Sequence, residues 1–125
     1  MKSYQDLEIY QQSKRLAIEV HKTSLQFPKF ELYEEGSQIR RSSKAVTTAI
    51  VEGYGRKRYK KDFIKHLVIA HTQCDETIVH LDFLFETCSI INQELYNQLK
   101  DQYIQLSKKI YNYIIWVDTN WKEPD

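Results

Sequence analysis

The segment KKDFIKHLVIAHTQCDETIVHLDFLFETC, residues 60–88, carries the clearest structural pattern in the chain. Apolar or small side chains return in it at alternating steps of four and three residues, without a break. Residues three and four apart lie on the same face of an α-helix, so this spacing predicts one long helix with a single buried stripe. The stripe consists of Phe63, Leu67, Ala70, Cys74, Thr77, Leu81, Leu84 and Cys88.

The next segment, about residues 92–118, repeats the pattern after a connection of a few residues. Asn92 suits the N-cap position, because its side-chain oxygen accepts a hydrogen bond from the first turn of a helix. Two long helices with so short a connection lie antiparallel. The predicted stripe of this helix consists of Leu99, Tyr103, Leu106, Ile110, Tyr113 and Val117.

Two more helices are predicted on the N-terminal side. One spans about residues 5–27, with Ser3 and Asp6 as a capping box. Pro28 ends it, because the residue before a proline is pushed out of helical geometry. The other spans about residues 34–54, and small residues on its stripe allow a neighbouring helix to approach closely. The stripes are Ile9, Ser13, Leu16, Val20, Ser24 and Phe27 in the first helix, and Ile39, Ser43, Val46, Ile50 and Gly53 in the second.

These segments predict one domain, residues 1–125, folded as an all-α, up-down-up-down antiparallel four-helix bundle. The chain has no apolar run of the roughly 20 residues that a membrane span needs. Its N-terminal residues lack the apolar stretch of a signal peptide, so we expect a cytoplasmic protein. Cys74 and Cys88 are both expected in the core, about 21 Å apart along one helix and therefore unable to pair.

The segment from Ile110 to Val117 is apolar on every side of its helix, with Asn112 as its one polar residue. A helix of this kind is buried on several faces. The other three helices of a single bundle cannot cover all of these faces. We therefore expect a second subunit over this region, with Tyr111, Ile115 and Trp116 at the interface. The alternative is that Trp116 and Trp121 fold back over the end of the bundle.

Several motifs in the first half of the chain resemble those of a known family. Ser37-Gln38-Ile39-Arg40-Arg41 is followed by Glu52-Gly53, with Arg56 shortly after and Phe27-Pro28 before. Together with Leu7, Phe63, Leu67, Ala70 and Glu76, they resemble the four-helix-bundle proteins encoded in intervening sequences of large-subunit ribosomal RNA genes. The similarity covers about Tyr4 to Val117, although Ser42-Ser43 stand where the family often has Ala-Ala.

The resemblance implies a homopentameric ring of antiparallel bundles. The same architecture is similar to that of an accessory protein of diversity-generating retroelements, which partners a reverse transcriptase and binds nucleic acid. A polymerase or a ribosomal component is therefore an expected partner, besides other copies of this chain.

The net charge of +1 conceals a strongly basic segment. Residues 36–61 carry eight Lys or Arg against one Asp or Glu, whereas residues 62–125 carry five against ten. Such cation density suits phosphate binding, and Tyr59 offers a ring on which an unpaired base can stack. The predicted nucleic-acid-binding residues are Arg40, Arg41, Lys44, Arg56, Lys57, Arg58, Tyr59, Lys60 and Lys61. The alternative is a solvated connection, or a strip that pairs with the acidic half of a neighbouring subunit.

Arg40 and Arg41 are neighbours on a helix and point about 100° apart, so at most one of them faces inward. Gln38, Glu52 and Glu76 are possible partners of the inward arginine. We predict a structural polar network of Gln38, Arg41, Glu52 and Glu76, within the subunit or between subunits.

No set of residues suggests catalysis or a metal site. Di-iron bundles need Glu-x-x-His pairs on facing helices, and the chain has none. His66, His71 and His80 all belong to one predicted helix, so we expect them at the surface or at an interface. Both cysteines fall on the apolar stripe, where a thiol is poorly accessible. We expect no enzymatic activity, no cofactor and no metal.

The sequence therefore predicts a non-enzymatic, homo-oligomeric accessory protein that binds RNA or DNA through phosphate contacts. The alternative is a protein-interaction scaffold or adaptor that does not bind nucleic acid directly.

Overall fold

Four α-helices make up most of this computed structural model, which describes residues 3–123. They are α1 (Glu8–Ser24), α2 (Glu35–Gly55), α3 (Lys60–Glu86) and α4 (Gln93–Asn120), and two short 3₁₀ turns lie at Tyr4–Asp6 and Lys29–Leu32. Residues 3–123 contain no β-strand. The prediction of an all-α fold with four helices is confirmed.

The helices pack in chain order, α1 on α2, α2 on α3 and α3 on α4, and α4 also contacts α1. The predicted stripes meet in one core. All their members are buried except Phe27 and Tyr113, which are half-buried, and Cys88, which is exposed. The core stabilises the fold because it removes apolar surface from water. Each large aliphatic side chain that is fully buried contributes about 1.5–3 kcal/mol to the free energy of folding.

Both predicted N-caps, Ser3 and Asn92, are present, although Ser3 caps the first 3₁₀ turn and not α1. Ser3 Oγ accepts from Gln5 N–H at 3.1 Å, and Asp6 accepts from Ser3 N–H at 3.2 Å. This box closes the first 3₁₀ turn, so α1 begins only at Glu8. Asn92 accepts from Leu95 N–H at 3.0 Å at the start of α4.

The C-terminal end of α3 corrects the prediction that Cys88 belongs to the core. The chain leaves the helix after Glu86, and Cys88 adopts a positive φ of 68°. Ser89 N–H returns to Leu84 O at 2.8 Å and Cys88 N–H to Phe85 O at 3.1 Å, which satisfies the last carbonyls of the helix. The four-and-three spacing of the stripe includes residue 88, but the helix ends before that residue.

Small residues allow α2 and α3 to approach closely. A Cβ on Gly53 would lie 3.2 Å from the carbonyl oxygen of Phe63 and from the Cβ of His66. Farther along, the buried hydroxyls of Ser42 and Thr77 are hydrogen-bonded at 2.8 Å. The prediction of a close helix approach is confirmed at Gly53, and the contact at Ser42 adds a position that was not on the predicted stripe.

Because the helices alternate in direction, the α2–α3 connection, the start of α1 and the end of α4 share one end of the bundle, called here the basic end. The opposite end holds a buried carboxylate that the sequence patterns did not indicate. Glu31 accepts from Gly36 N–H at 3.2 Å and from Ser89 Oγ at 2.5 Å. It thereby joins the turn before α2 to the connection before α4.

Candidate nucleic-acid interface

The connection between α2 and α3 is a tight turn that presents cations from two helix ends. Arg56 caps α2, and Tyr59 N–H donates to Arg56 O at 2.9 Å before α3 begins. Lys60 and Lys61 then occupy the first turn of α3, where the helix dipole is already positive. The α3 dipole and its two lysines therefore contribute positive potential locally, at the start of α3.

Some cations of this turn are neutralised within the chain. Arg56 binds Glu52 at 2.9 Å and lies 3.7 Å from Asp62. Lys60 lies 3.2 Å from Asp118, at the end of α4. These are exposed pairs, which contribute about 0–1 kcal/mol each to stability.

Other cations of the turn remain open to a ligand. The ammonium group of Lys57 lies over the ring of Tyr54, 4.0 Å from its centre. This cation–π contact does not neutralise the charge of Lys57 as a carboxylate would. Within residues 3–123, the side chains of Arg58 and Lys61 make no hydrogen bond or ion pair, and both are exposed. Of the predicted binding residues, these are the ones best placed to contact phosphate.

Two adjoining grooves, called here the end grooves, surround this turn. One, of about 420 Å³, lies between Lys57 and Arg58 on one side and Trp116 and Trp121 on the other. The second, of about 470 Å³, lies between Trp121 and the segment 58–61. Arg58 and Trp121 line both grooves, so each groove is bordered by cations and by aromatic rings.

Trp121 is the residue that the sequence prediction underestimated. Its indole Nε1 donates to the carbonyl of Lys57 at 2.8 Å, so the segment after α4 crosses back onto the α2–α3 connection. The expected alternative, in which tryptophans fold over the bundle end, thus holds for Trp121 but not for Trp116, which is 59% exposed. Lys122 joins the first groove and was also missed. The sequence signal that could have indicated this contact is a tryptophan just beyond the last helix.

Arg40, Arg41 and Lys44 do not join this surface. Lys44 and Arg56 are twelve residues apart along α2, or about 18 Å. Arg40 donates to the carbonyl of Leu32 at 2.9 Å, so it fastens the turn before α2. Lys44 Nζ lies 3.1 Å from His21 Nδ1, and Arg41 is exposed. The nine predicted residues therefore form two clusters.

The predicted polar network does not form inside the chain. Its members Gln38, Arg41, Glu52 and Glu76 are all exposed, and within residues 3–123 no hydrogen bond or ion pair joins any two of them. Glu52 instead pairs with Arg56. Because exposed charged and amide side chains are well solvated, none of the four needs an inward partner. A network between subunits stays a prediction.

The three residues predicted at an oligomer interface lie on two surfaces. Tyr111 and Ile115, one helical turn apart, are about half exposed on the outside of α4. Trp116 is stacked on Tyr113, with ring centres 5.9 Å apart and planes 8° apart, and lines an end groove. Further exposed apolar residues lie on α3: Val68, Ile69, Val79 and Phe83.

The titratable residues of the core are engaged in packing. Burial, aided by the nearby Asp75 charge, raises the pKa of the Cys74 thiol to about 12, and its Sγ donates to Tyr103 O at 3.4 Å. His80 Nδ1 lies 2.6 Å from Glu35 and joins α3 to α2. Residues 3–123 hold no group of three or more metal-ligating side chains, and no helix there is long and apolar enough to cross a membrane.

The fold has a solved counterpart. A protein of unknown function from the S23 ribosomal protein family of Bacteroides thetaiotaomicron VPI-5482 superposes on this chain with a TM-score of 0.75. The two share 22% sequence identity, and the match covers 85% of this chain and 94% of the other. At that identity the comparison supports the fold alone. No curated protein matches the chain significantly.

The sequence itself matches a family model over most of its length. The model is that of the 23S rRNA-intervening sequence protein, and it spans residues 5–112, from the first 3₁₀ turn into the last third of α4. The resemblance drawn from the motifs of α2 and α3 is thereby confirmed. This four-helix chain belongs to the 23S rRNA-intervening sequence protein family.

Proposed function

We propose that this chain is a non-enzymatic accessory protein that forms a homo-oligomer and binds RNA or DNA through the basic end. The observation that supports the proposal most directly is the pair Arg58 and Lys61, exposed and without an anionic partner within residues 3–123. Lys57 and Lys122 extend the same surface along the first end groove.

Phosphate contacts are the expected source of affinity. Each phosphate that a lysine or arginine neutralises releases a condensed counterion, so binding is tight at low salt and weakens steeply as salt rises. Phosphate contacts fix the position of a protein on a nucleic acid but carry no sequence information. We therefore propose binding with little sequence preference.

A homo-oligomer accounts for the apolar side chains that one chain leaves open on α3 and α4. Exposed apolar patches of this kind mark interaction surfaces. A closed ring would place several basic ends side by side and multiply their field. The subunit number of five rests on the family resemblance, and a cytoplasmic location stays a prediction.

A direct binding titration tests the proposal. Fluorescence anisotropy of labelled RNA and DNA strands is measured across a range of salt concentrations, with the parent protein and the Arg58→Ala/Lys61→Ala variant. The variant should bind more weakly at low salt, and its slope of log affinity against log salt should be shallower by roughly 1.4 for a single strand.

The matched control removes the same charge elsewhere. Arg15 and Lys29 are exposed cations outside the basic end, and the Arg15→Ala/Lys29→Ala variant should bind like the parent. Absence of binding at low salt, or equal losses in the two variants, would contradict the proposal.

The alternative function is a protein scaffold that contacts a polymerase or ribosomal partner. Val79 and Phe83 favour it, because these apolar side chains lie one helical turn apart on α3 and are each about half exposed. Co-purification with and without nuclease distinguishes the two functions. Partners that persist after nuclease treatment support the scaffold, and partners lost with the nucleic acid support the first proposal.

A further inference from the structure

We infer that the end grooves bind unpaired nucleotides, with bases stacked on Trp116, Trp121 and Tyr59 and phosphates held by Arg58 and Lys61. The inference rests on the proposed function and adds a ligand class, single-stranded rather than duplex nucleic acid.

The first argument is the exposure of large rings beside free cations. Trp116 is 59% exposed and Tyr59 is 62% exposed, and each lines an end groove. Water contact with rings of this size is unfavourable, and stacking on a base removes it. Because Arg58 lines both grooves, it can contact the phosphate that links a base in one groove to a base in the other.

The second argument is that the two tryptophan rings are already positioned. Trp116 stacks nearly parallel on Tyr113, and Trp121 is held by its hydrogen bond to Lys57 O. A fixed ring loses little conformational freedom when a base stacks on it, so more of the stacking energy appears as affinity.

The third argument concerns which base features can be recognised. The one donor of the Trp121 indole is already used by the Lys57 carbonyl. What Trp121 offers a ligand is therefore its ring surface, which accepts every base. Paired bases inside a duplex have both faces covered by their neighbours, so this kind of surface selects unpaired strands.

The grooves suit a nucleotide in size and charge. Their volumes of about 420 and 470 Å³ fall within the roughly 300–1,000 Å³ of small-ligand sites. Lys57 and Lys122 line the first groove, and Lys60 and Lys61 line the second, which also contains Glu123. The cations outnumber this single carboxylate, so a polyanionic strand remains favoured.

The experiment uses the intrinsic fluorescence of the chain. Trp116 and Trp121 are its two tryptophans, so emission reports on the end grooves directly. The ligands are an oligouridine strand, an abasic strand with the same number of phosphates, and a duplex of the same length. We expect oligouridine to quench the emission and to bind roughly tenfold or more tightly than the abasic strand.

Variants separate stacking from charge. Trp116→Ala should lower oligouridine affinity by roughly tenfold and leave abasic-strand affinity within about twofold. Tyr59→Ala should act in the same direction. Tyr33→Ala, which removes an 84% exposed ring at the opposite end of the bundle, should bind like the parent. Circular dichroism confirms that each variant is folded.

The outcomes distinguish the inference from the function on which it rests. If abasic strand or duplex binds as tightly as oligouridine, or if oligouridine leaves the emission unchanged, the stacking inference is wrong and phosphate binding stands. If no strand binds at low salt, the proposed function fails together with the inference.

Discussion

Cys74 and Cys88 stand fourteen residues apart in the sequence but in opposite environments. Cys74 is buried in the core with a thiol pKa of about 12, because burial disfavours the thiolate. Cys88 is exposed after the end of α3. The sequence placed both on one stripe, because spacing alone does not show where a helix stops. No glycine or proline in residues 86–92 marks this end.

Thiol labelling should distinguish the two cysteines. With the native protein at neutral pH, we expect a disulfide reagent to modify Cys88 readily and Cys74 only after unfolding in denaturant. Cys88→Ser should abolish the rapid reaction, whereas a Cys74→Ala variant should retain it. Rapid native labelling that survives in Cys88→Ser would contradict the burial of Cys74.

Asp82 provides a pH-dependent contribution to stability. Burial alone would raise the pKa of its carboxyl, but hydrogen bonds from Tyr96 and Lys100 outweigh burial and hold the pKa below the ordinary 3.8. Because its pKa is lower in the folded state, the carboxyl stabilises the protein at pH values above its ordinary pKa. This contribution is lost as the pH falls through the lowered folded-state pKa.

Substitution of Asp82 should therefore matter at neutral pH and not in acid. We expect Asp82→Asn to have a lower melting temperature than the parent at pH 7, with the difference shrinking toward pH 2. Thermal melts followed by circular dichroism measure it. Asp101→Asn, an exposed carboxylate on α4, is the control and should show little difference at either pH. A constant gap for Asp82→Asn across this range would exclude the ionisation mechanism.

At the scale of elements, the turn before α2 packs against a glycine in the first turn of that helix. A Cβ on Gly36 would lie 2.3 Å from the carbonyl oxygen of Glu31, closer than atoms can approach. The same turn carries the buried Glu31 carboxylate, which binds Gly36 N–H and Ser89. Any shift that makes room for a methyl group therefore also disturbs this hydrogen-bonded junction.

Two glycine substitutions compare this turn with an open position. Gly36→Ala should reduce the free energy of unfolding by about 1–3 kcal/mol, as overpacking does. Gly55→Ala is the matched control, since nothing lies within 4 Å of its Cβ and helix propensity favours alanine. Urea denaturation measures both. Equal stabilities of the two variants would show that the turn relaxes without cost.

How far the sequence predicts each element depends on the kind of signal. The stripes of the four helices were predictable because one face of each helix meets the core along most of its length. The Glu31 junction was not, since a lone glutamate in a turn gives no sign that Ser89, fifty-eight residues away in the sequence, will donate to it. The Trp121–Lys57 contact was anticipated only in general form, as the alternative in which the tryptophans fold over the bundle end, because its partner depends on which chain ends meet.

At the scale of the molecule, the exposed apolar face of α4 bears on assembly. Ile115 is 48% exposed, so a charged residue there costs a single chain little but is costly within an apolar interface. We expect Ile115→Glu to shift the protein toward monomer in light scattering at micromolar concentration.

The same substitution at a neutral position controls for added charge. Ile91, 86% exposed in the α3–α4 connection, lies away from the predicted interface, and Ile91→Glu should leave the mass unchanged. A parent protein that is already monomeric would exclude assembly through this face altogether.

The motifs of α2 and α3 were sufficient to identify the family, but the division of the basic residues into two clusters required the structure. Arg40 and Arg58 look alike in the sequence. One is bound to a backbone carbonyl and the other is open, and this difference depends on the path of the turn before α2.

The lysines in the first turn of α3 have one more consequence. Lys61 has no acidic partner within residues 3–123 and opposes the positive end of the α3 dipole, so its position is electrostatically unfavourable in the ligand-free fold. Dissolved ions lessen that penalty, yet the same ions compete with a polyanion for the surface. Added salt should thus lessen the unfavourable field at Lys61 while it weakens the binding of nucleic acid.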